Sequence, residues 1–313
     1  MGKIAFVFPG QGSQIVGMGQ DLFEKDEQAK KIFQKADEAL SAPLSRLIFN
    51  GPQEELTLTV NAQPALVTTS YALFQALSEA GIKPDYTAGH SLGEYSALAA
   101  SGAISFEDAV TSVRRRGEFM EDAVPNGTGS MAAILGMERG LLSEVTAEIS
   151  SKGEPVQLAN INCPGQIVIS GSAEGVRLAG ELAKEKGAKR AIPLVVSGPF
   201  HSELMKPAAA RLQEVLDSIS VHDAAVPVIS NVTAQPIHKP EEIKEKLIEQ
   251  LYSPVLWEDS VNTLLSLGVD TFVEVGPGKV LSGLIKKIDR KASVYSVSDQ
   301  ESLQNTLQAL RGN

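Results

Sequence analysis

The run Gly89-His90-Ser91-Leu92-Gly93 contains a G-x-S-x-G motif, in which a serine lies between two closely spaced glycines. This motif is typical of a sharp turn from a strand into a helix, which lifts the serine hydroxyl away from the backbone. A strand-length run precedes it, and apolar residues at helical spacing follow it at Leu92, Tyr95 and Leu98. Because this context makes a chance match less credible, Ser91 is a candidate nucleophile.

A serine nucleophile needs a base, and the chain contains four histidines. His90 directly precedes Ser91, so its side chain is expected to point away from the serine hydroxyl. His222 and His238 lie in polar, loop-like surroundings, which leaves His201 as the predicted base. No acidic residue occupies the position that an α/β-class hydrolase uses to orient its histidine. We therefore expect a neutral carbonyl to orient the imidazole.

Three consecutive arginines lie in a helix predicted over 106–124. On a helical projection Arg116 lies about 60° from Val113, which belongs to the inward-facing stripe. Arg114 and Arg115 are predicted to face solvent. A partly buried arginine needs an anionic partner, and either a protein carboxylate or a substrate carboxylate would satisfy Arg116.

Three further segments are candidates for lining a site. The turn at residues 9–14 lacks the third glycine of a nucleotide-binding loop, but its exposed amides suit an anion. Gln63 precedes Pro64, which is predicted to open a helix over 65–80, and Gln63 is placed to reach a nearby site. The turn at residues 160–166 presents amides to a cleft, although ordinary turn chemistry explains it equally well.

Strands and helices alternate through most of the chain, which predicts an α/β fold. Residues 125–129 are predicted to be a linker, and beyond it the order becomes β-α-β-β-α-β, the ferredoxin-like unit. We therefore expect a small inserted subdomain at 128–198 and a large subdomain formed by 1–127 and 199–313.

Composition limits the possible functions. The chain has 313 residues, 43% of them hydrophobic, and a net charge of −10, which argues against a nucleic-acid binder. A single cysteine and the absence of metal-binding motifs predict no disulfide framework and no metal site. No apolar run long enough for a membrane span occurs, and we expect a cytoplasmic protein.

Considered together, these segments resemble the malonyl-CoA:acyl-carrier-protein transacylases of bacterial fatty-acid synthesis and, more distantly, the acyltransferase domains of polyketide synthases. The resemblance covers nearly the whole chain in family order. The matching stretches are Phe8-Pro9-Gly10-Gln11-Gly12-Ser13-Gln14, Gln63-Pro64-Ala65-Leu66, Gly89-His90-Ser91-Leu92-Gly93-Glu94, Arg116-Gly117, Asn162-Cys163-Pro164-Gly165-Gln166, Phe200-His201, Gln250-Leu251-Tyr252-Ser253-Pro254-Val255 and Glu274-Val275-Gly276-Pro277-Gly278.

The resemblance implies a ping-pong reaction in which Ser91 takes the malonyl group from malonyl-CoA and the phosphopantetheine thiol of acyl carrier protein then removes it. It implies that the backbone amides of Gln11 and Leu92 hold the oxyanion. The main-chain carbonyl of Gln250 would orient His201.

It further implies that Arg116 binds the malonyl carboxylate, and that Gln63, Asn162 and Phe200 help to bind substrate, with Phe200 typical of malonyl-selective relatives. The fold implied is an α/β-hydrolase-like core with a parallel sheet and a ferredoxin-like insert. A monomer is expected, with no cofactor apart from the coenzyme A thioester used as substrate, and with no nucleic-acid or membrane partner.

Three alternatives remain. A serine thioesterase or esterase would use water as the acceptor, but it would have no use for an arginine that binds a carboxylate. A malonyl transferase could also serve a polyketide synthase. A catalytically silent scaffold that binds carrier proteins would have no chemical need for Ser91, His201, Arg116 and Gln250 together.

Overall fold

The computed structural model describes residues 2–125 and 127–312. Asn126, in the predicted linker, lies outside the described residues. The strands are β1 (Lys3–Phe8), β2 (Tyr86–Gly89), β3 (Gly129–Leu135), β4 (Val156–Cys163), β5 (Gln166–Ser172), β6 (Arg190–Pro193), β7 (Val228–Ile229), β8 (Pro236–Ile237), β9 (Val269–Val275) and β10 (Ser293–Val297).

The helices are α1 (Gln20–Lys25), α2 (Glu27–Leu40), α3 (Leu44–Asn50), α4 (Gln53–Thr57), α5 (Thr59–Glu79), α6 (Gly93–Ala100), α7 (Phe106–Asp122), α8 (Arg139–Ser151), α9 (Ala173–Glu185), α10 (Lys206–Ser218), α11 (Pro240–Gln250), α12 (Trp257–Ser266), α13 (Val280–Ile288) and α14 (Gln300–Arg311), and a short 3₁₀ helix spans Glu203–Met205. No helix within these described ranges is long and apolar enough to cross a membrane.

The larger sheet has six strands in the order β10-β9-β1-β2-β7-β8, and only the β7–β8 pair is antiparallel. Strand β1 lies at its centre and is buried on both faces. Phe6 and Phe8 pack into the core formed with α2, α5, α6 and α7, whereas Ala5 and Val7 pack against α12 and α13. This burial on both faces is usual for parallel strands covered by helices. The predicted α/β class with a parallel sheet is confirmed.

The smaller sheet has four antiparallel strands in the order β4-β5-β3-β6, and α8 and α9 pack against it. It is built from one continuous segment whose element order is β-α-β-β-α-β. A backbone bridge joins the two parts of the fold, since Ile161 N donates to Val255 O at 2.9 Å and Val255 N donates to Ala159 O at 2.8 Å.

Helix α5 begins at Thr59, so the prediction that Pro64 opens this helix is wrong. A proline inside a helix leaves the carbonyl four residues earlier without its usual N–H donor. Here Arg114 Nη1 donates to that carbonyl, Val60 O, at 2.6 Å, and to Asn61 Oδ1 at 2.6 Å. The prediction that Arg114 faces solvent is therefore also wrong, whereas Arg115 is exposed as expected.

Residues 20–50 contain three separate helices, α1 to α3. Asp26 separates the first two, because its side chain accepts hydrogen bonds from the backbone N–H groups of Gln28 and Ala29 and so caps α2. Pro43 precedes α3.

Candidate active site

Ser91 lies in the turn between β2 and α6, with a backbone φ of 52°. Few residues other than glycine adopt this left-handed conformation, and a nucleophile elbow is one place where it recurs. The two glycines of the motif make the turn possible. A Cβ atom on Gly89 would lie 1.9 Å from the carbonyl of Gly93, and one on Gly93 would lie 2.2 Å from Phe8 O.

The side chain of Asn231 helps to hold this turn. Asn231 follows β7 and is buried, with 1% of its surface exposed. Its Oδ1 accepts from Ser91 N at 2.7 Å, and its Nδ2 donates to Gly89 O at 2.6 Å. These two bonds fix the backbone on both sides of His90 and leave the Ser91 side chain free to face the cavity.

His201 contacts the serine hydroxyl. Its Nε2 lies 2.8 Å from Ser91 Oγ, and its Nδ1 lies 2.8 Å from Gln250 O. Because a carbonyl can only accept, Nδ1 carries the proton, and the lone pair of Nε2 is left to accept the serine proton. Burial, with the Arg116 charge, lowers the pKa of His201 to about 3, so the imidazole is a neutral base near pH 7.

The orienting group of His201 is a neutral carbonyl, as the sequence predicted in the absence of a suitable acid. His90 is turned away from the nucleophile. Its Nε2 donates to Asn162 Oδ1 at 2.8 Å, and its ring packs beside Trp257.

Arg116 extends from α7 to the nucleophile and is 1% exposed. Its Nη2 donates to Ser91 Oγ at 3.0 Å and to Gln250 Oε1 at 2.9 Å, while its Nη1 donates to Gln63 Oε1 at 2.7 Å. Its Nε has no hydrogen-bond partner among the described residues. The site therefore places a buried cation against the nucleophile.

Two backbone amides near Ser91 are available as donors. Among the described residues, neither the N–H of Gln11, after β1, nor that of Leu92, at the start of α6, has a hydrogen-bond acceptor. The side chain of Gln11 is fixed separately, since its Nε2 donates to Thr59 Oγ1 at 3.0 Å. Unpaired amides beside a nucleophile are suited to an oxyanion.

The cavity above Ser91 has a volume of about 490 Å³. Its rim carries three exposed apolar side chains, Leu58, Val195 and Val196. The lining residues are Gln11, Gly12, Gln14, Glu54, Thr57, Leu58, Thr59, His90, Ser91, Leu92, Arg116, Met120, Glu121, Met131, Asn160, Leu194, Val195, Val196, Ser197, Phe200 and His201. The cavity thus lies between the two sheets and opens to solvent along an apolar edge.

The other predicted binding residues lie at different distances from the cavity. Phe200 lines the cavity directly. Gln63 lies behind Arg116, where it accepts a hydrogen bond from the guanidinium. Asn162 lies behind His90 and does not line the cavity, and Asn160, two residues earlier on β4, lines it instead.

Sequence reasoning missed two residues, Asn231 and Glu94. Glu94 is fully buried in the first turn of α6, and its Oε2 accepts from Gln250 Nε2 at 2.7 Å and from Asn231 N at 3.2 Å. An acidic residue in the first turn of a helix is usually explained by its favourable interaction with the helix dipole, so the sequence did not indicate a role for Glu94 in the site. The polar run Ser230-Asn231 at the carboxyl end of a short apolar strand was the available signal for Asn231.

Comparisons with known proteins give one consistent result. The model of the acyl transferase domain family matches residues 5–304. The chain is 63% identical to the malonyl CoA-acyl carrier protein transacylase of Bacillus subtilis (strain 168), across 99% of this chain and 98% of the relative.

Solved structures agree with this result. The malonyl CoA-acyl carrier protein transacylase of Clostridium perfringens superposes with a TM-score of 0.96 at 44% identity, with 99% and 98% of the two chains covered. A malonyl-transacylase in complex with a type II PKS acyl-carrier protein superposes with a TM-score of 0.95 at 42% identity, with 99% and 100% covered.

Proposed function

This chain belongs to the acyl transferase domain family, and we propose that its Ser91, His201 and Arg116 carry out malonyl transfer in the roles given below. The protein is an enzyme that moves the malonyl group from malonyl-CoA to acyl carrier protein. The acyl group is held between the two steps as an ester of Ser91.

In the first step, Ser91 Oγ attacks the thioester carbon of malonyl-CoA while His201 Nε2 takes the hydroxyl proton. The carbonyl oxygen becomes an oxyanion, which accepts hydrogen bonds from the amides of Gln11 and Leu92. In related sites each such donor contributes about 2.7–4 kcal/mol. The C–S bond then breaks, and the imidazolium returns its proton to the coenzyme A sulfur.

The second step reverses the first with another thiol. The pantetheine thiol of the carrier protein gives its proton to His201 Nε2 and attacks the malonyl ester. The ester C–O bond breaks, and Ser91 Oγ recovers the proton. A thiol has a pKa near 8.5, so it is a good leaving group, and a histidine oriented by a neutral carbonyl is a sufficient acid and base.

The observation that carries this proposal is the contact between Arg116 Nη2 and Ser91 Oγ, at 3.0 Å. A guanidinium this close to the nucleophile can bind a carboxylate only if the acyl chain is short, as it is in malonate. Its planar donors also suit a bidentate carboxylate contact. An enzyme that hydrolyses neutral esters would gain nothing from burying this charge.

The cavity and the fold agree with this assignment. Phe200 lies on the cavity wall, and we assign it the role of limiting the size of the acyl group. We assign residues 1–127 and 199–313 to an α/β-hydrolase-like subdomain and 128–198 to a ferredoxin-like one. Support for the second comes from the order β4-β5-β3-β6 of its antiparallel sheet.

The test is the mass of the intact protein after it is mixed with malonyl-CoA in the absence of acceptor. We expect wild type to gain one malonyl group, and Ser91→Ala to gain none. Acyl carrier protein should then remove the group from the wild-type enzyme. Release of free malonate without an adduct would instead identify a hydrolase and overturn the proposal.

A further inference from the structure

Among the described residues no carboxylate directly contacts Arg116, although its charge is buried. Glu94 is the carboxylate whose charge acts on it, and this residue is fully buried as well. The side-chain amide of Gln250 lies between them, since its Oε1 accepts from Arg116 Nη2 at 2.9 Å and its Nε2 donates to Glu94 Oε2 at 2.7 Å. Glu94 is therefore the counterion of Arg116, connected to it through one amide.

This connection also fixes how the Gln250 amide is oriented. Nε2 makes a further hydrogen bond to Ser91 O at 3.0 Å, so both of its protons meet acceptors. If the amide were reversed, its NH₂ group would face the donors of Arg116 and its oxygen would face Glu94. Glu94 thus indirectly positions the guanidinium beside Ser91.

Binding of malonate changes the charge balance of this buried group. In the empty site one cation and one carboxylate offset each other. The following step depends on the proposed role of Arg116, since it assumes that the malonyl carboxylate binds there. Two carboxylates would then share one arginine out of contact with water, and in such an arrangement one of them is strongly favoured to take up a proton.

We propose that binding of the malonyl carboxylate to Arg116 is coupled to uptake of a proton by Glu94, which is the counterion of Arg116 in the empty site and a neutral acid in the loaded one. Oε2 already accepts two N–H donors. Oε1 has no partner among the described residues and is the oxygen that carries the proton.

The other charged and titratable groups near Glu94 do not change state near neutral pH. Burial raises the pKa of Glu94 to about 7, against the opposing effects of Gln250, the Asn231 amide and Arg116. His201, on the loop before α10, has a pKa lowered to about 3, and burial also lowers the pKa of His90. Burial raises the pKa of Tyr95, on the same helix as Glu94.

Burial lowers the pKa of the Arg116 guanidinium on α7, but that pKa starts so far above the neutral range that Arg116 keeps its charge. Below a pH of about 7 the empty site already holds the proton, so binding is insensitive to pH. Above that pH, binding of the malonyl group must be accompanied by uptake of a proton, so the affinity for the malonyl group falls about tenfold per pH unit. An acyl group without a carboxylate should show no such dependence.

The experiment is titration calorimetry of Ser91→Ala, which cannot accept the acyl group, with malonyl-pantetheine, which lacks the phosphates of coenzyme A. At pH 8, two buffers with different ionisation enthalpies should report uptake of nearly one proton per molecule bound. Between pH 7.5 and 8.5 the Kd should weaken about tenfold.

The matched variant is Ser91→Ala combined with Glu94→Gln, which has the shape of the protonated acid. We expect it to bind malonyl-pantetheine without proton uptake and with a Kd that does not vary over the same pH range. A merely structural role for Glu94 would change the Kd equally at every pH. Acetyl-pantetheine serves as the neutral ligand, and its binding should release or take up no proton.

Malonyl binding without proton uptake by Ser91→Ala would overturn the coupling while leaving the role of Arg116 intact. This measurement decides the question even if the double variant fails to fold. Equal affinity for malonyl- and acetyl-pantetheine, or no binding of either, would count against Arg116 as the carboxylate site and so against both proposals.

Discussion

The parallel and antiparallel sheets contribute differently to the site. Gln11, Ser91 and Asn231 each follow a strand of the parallel sheet, at the edge where the carboxyl ends of β1, β2 and β7 meet. The antiparallel sheet and the segment after it contribute cavity wall, through Met131 and Asn160. The parallel sheet thus supplies reacting groups, whereas the other sheet supplies cavity shape and supporting hydrogen bonds, between Asn162 and His90 and from Gln157 to His201 O.

Backbone strain follows the same division. Four residues other than glycine have positive φ in the described part of the chain, and all four lie outside the antiparallel sheet and its helices: Ser41, Ser91, His201 and Ala234. Two of them are the proposed nucleophile and base. Residues with a strained backbone persist only where the surrounding structure holds them in that conformation. Here the core around the parallel sheet does so. Substitutions around the parallel sheet should therefore affect the chemical steps, and substitutions around the antiparallel sheet should affect how the substrate fits the cavity.

The largest effect is expected from His201→Ala. Without a base on Ser91 Oγ, the rate of malonyl-enzyme formation should fall by about 10⁴-fold or more, as it does when a member of a serine triad is removed. Rapid-quench measurement of the malonyl-enzyme adduct gives this rate directly.

The matched control for this prediction is His222→Ala, because His222 is exposed and lies outside the cavity. It should retain the wild-type rate. A loss of less than 100-fold in His201→Ala, with the fold intact by thermal unfolding, would show that the base is another group.

Arg116→Ala should give the next largest effect, and a selective one. Loss of the buried charge that binds the acyl carboxylate should cost about 2–5 kcal/mol, or roughly 30- to 5,000-fold in kcat/KM for malonyl-CoA. Acetyl-CoA has no carboxylate, so its kcat/KM should change far less. Steady-state transfer to acyl carrier protein measures both.

Arg115→Ala is the matched control for Arg116, since Arg115 lies on the same helix but is exposed in a surface ion pair with Glu118. It should leave both substrates unaffected. Equal losses on malonyl- and acetyl-CoA in Arg116→Ala would mean that Arg116 acts on Ser91 rather than on the acyl group.

The sequence was sufficient to select Ser91, His201 and Arg116, whose side chains the structure brings together, because each depends on a local pattern or a small set of residues. Ser91 lies in a five-residue motif, His201 is one of four histidines, and Arg116 follows from helical geometry. Glu94 and Asn231 could not be found in this way. Their contact joins residues 137 positions apart, and neither residue is one of the positions that define the G-x-S-x-G motif.

The helix boundaries were predicted wrongly for a related reason. A proline normally ends or opens a helix, yet Pro64 lies inside α5 because Arg114, from α7, supplies the missing donor to Val60 O. That compensation is a tertiary contact and leaves no local signal. The strands β7 and β8 have two residues each, and pairing within the sheet rather than intrinsic preference defines them.

Asn231→Ala tests whether the turn around Ser91 is held from β7. The change removes the acceptor for Ser91 N and the donor for Gly89 O, both of them buried. We expect the free energy of unfolding to fall by about 1–3 kcal/mol, because buried groups are left unpaired. We also expect kcat to fall roughly tenfold. Urea unfolding and steady-state kinetics measure the two effects.

Asn231→Asp is the informative partner of that variant, because it keeps the acceptor for Ser91 N but loses the donor to Gly89 O and adds a carboxylate near Glu94. Activity that recovers towards wild type would assign the effect to the bond with Ser91 N. If Asn231→Ala leaves both stability and kcat unchanged, then the glycines and the bond from Gln250 Nε2 to Ser91 O are sufficient to hold the turn.

The smallest predicted effect concerns a contact between the two sides next to the oxyanion donor Gln11. Thr59 Oγ1 accepts from Gln11 Nε2 at 3.0 Å and lies 3.0 Å from Ser197 Oγ, on the segment that returns from the antiparallel sheet. Thr59→Val keeps the shape but frees Gln11, whose amide is assigned to the oxyanion. We expect kcat to fall about 2- to 10-fold, the value of one hydrogen bond.

Ser197→Ala removes only the partner on the returning segment, so it separates the two sides. If the returning segment contributes shape alone at the oxyanion site, this variant should keep kcat within about twofold and alter only the KM for the acyl donor. A fall in kcat equal to that of Thr59→Val would instead show that the returning segment helps to set the position of Gln11. The difference in role between the parallel sheet and the segment that returns from the antiparallel sheet would then not hold at the oxyanion site.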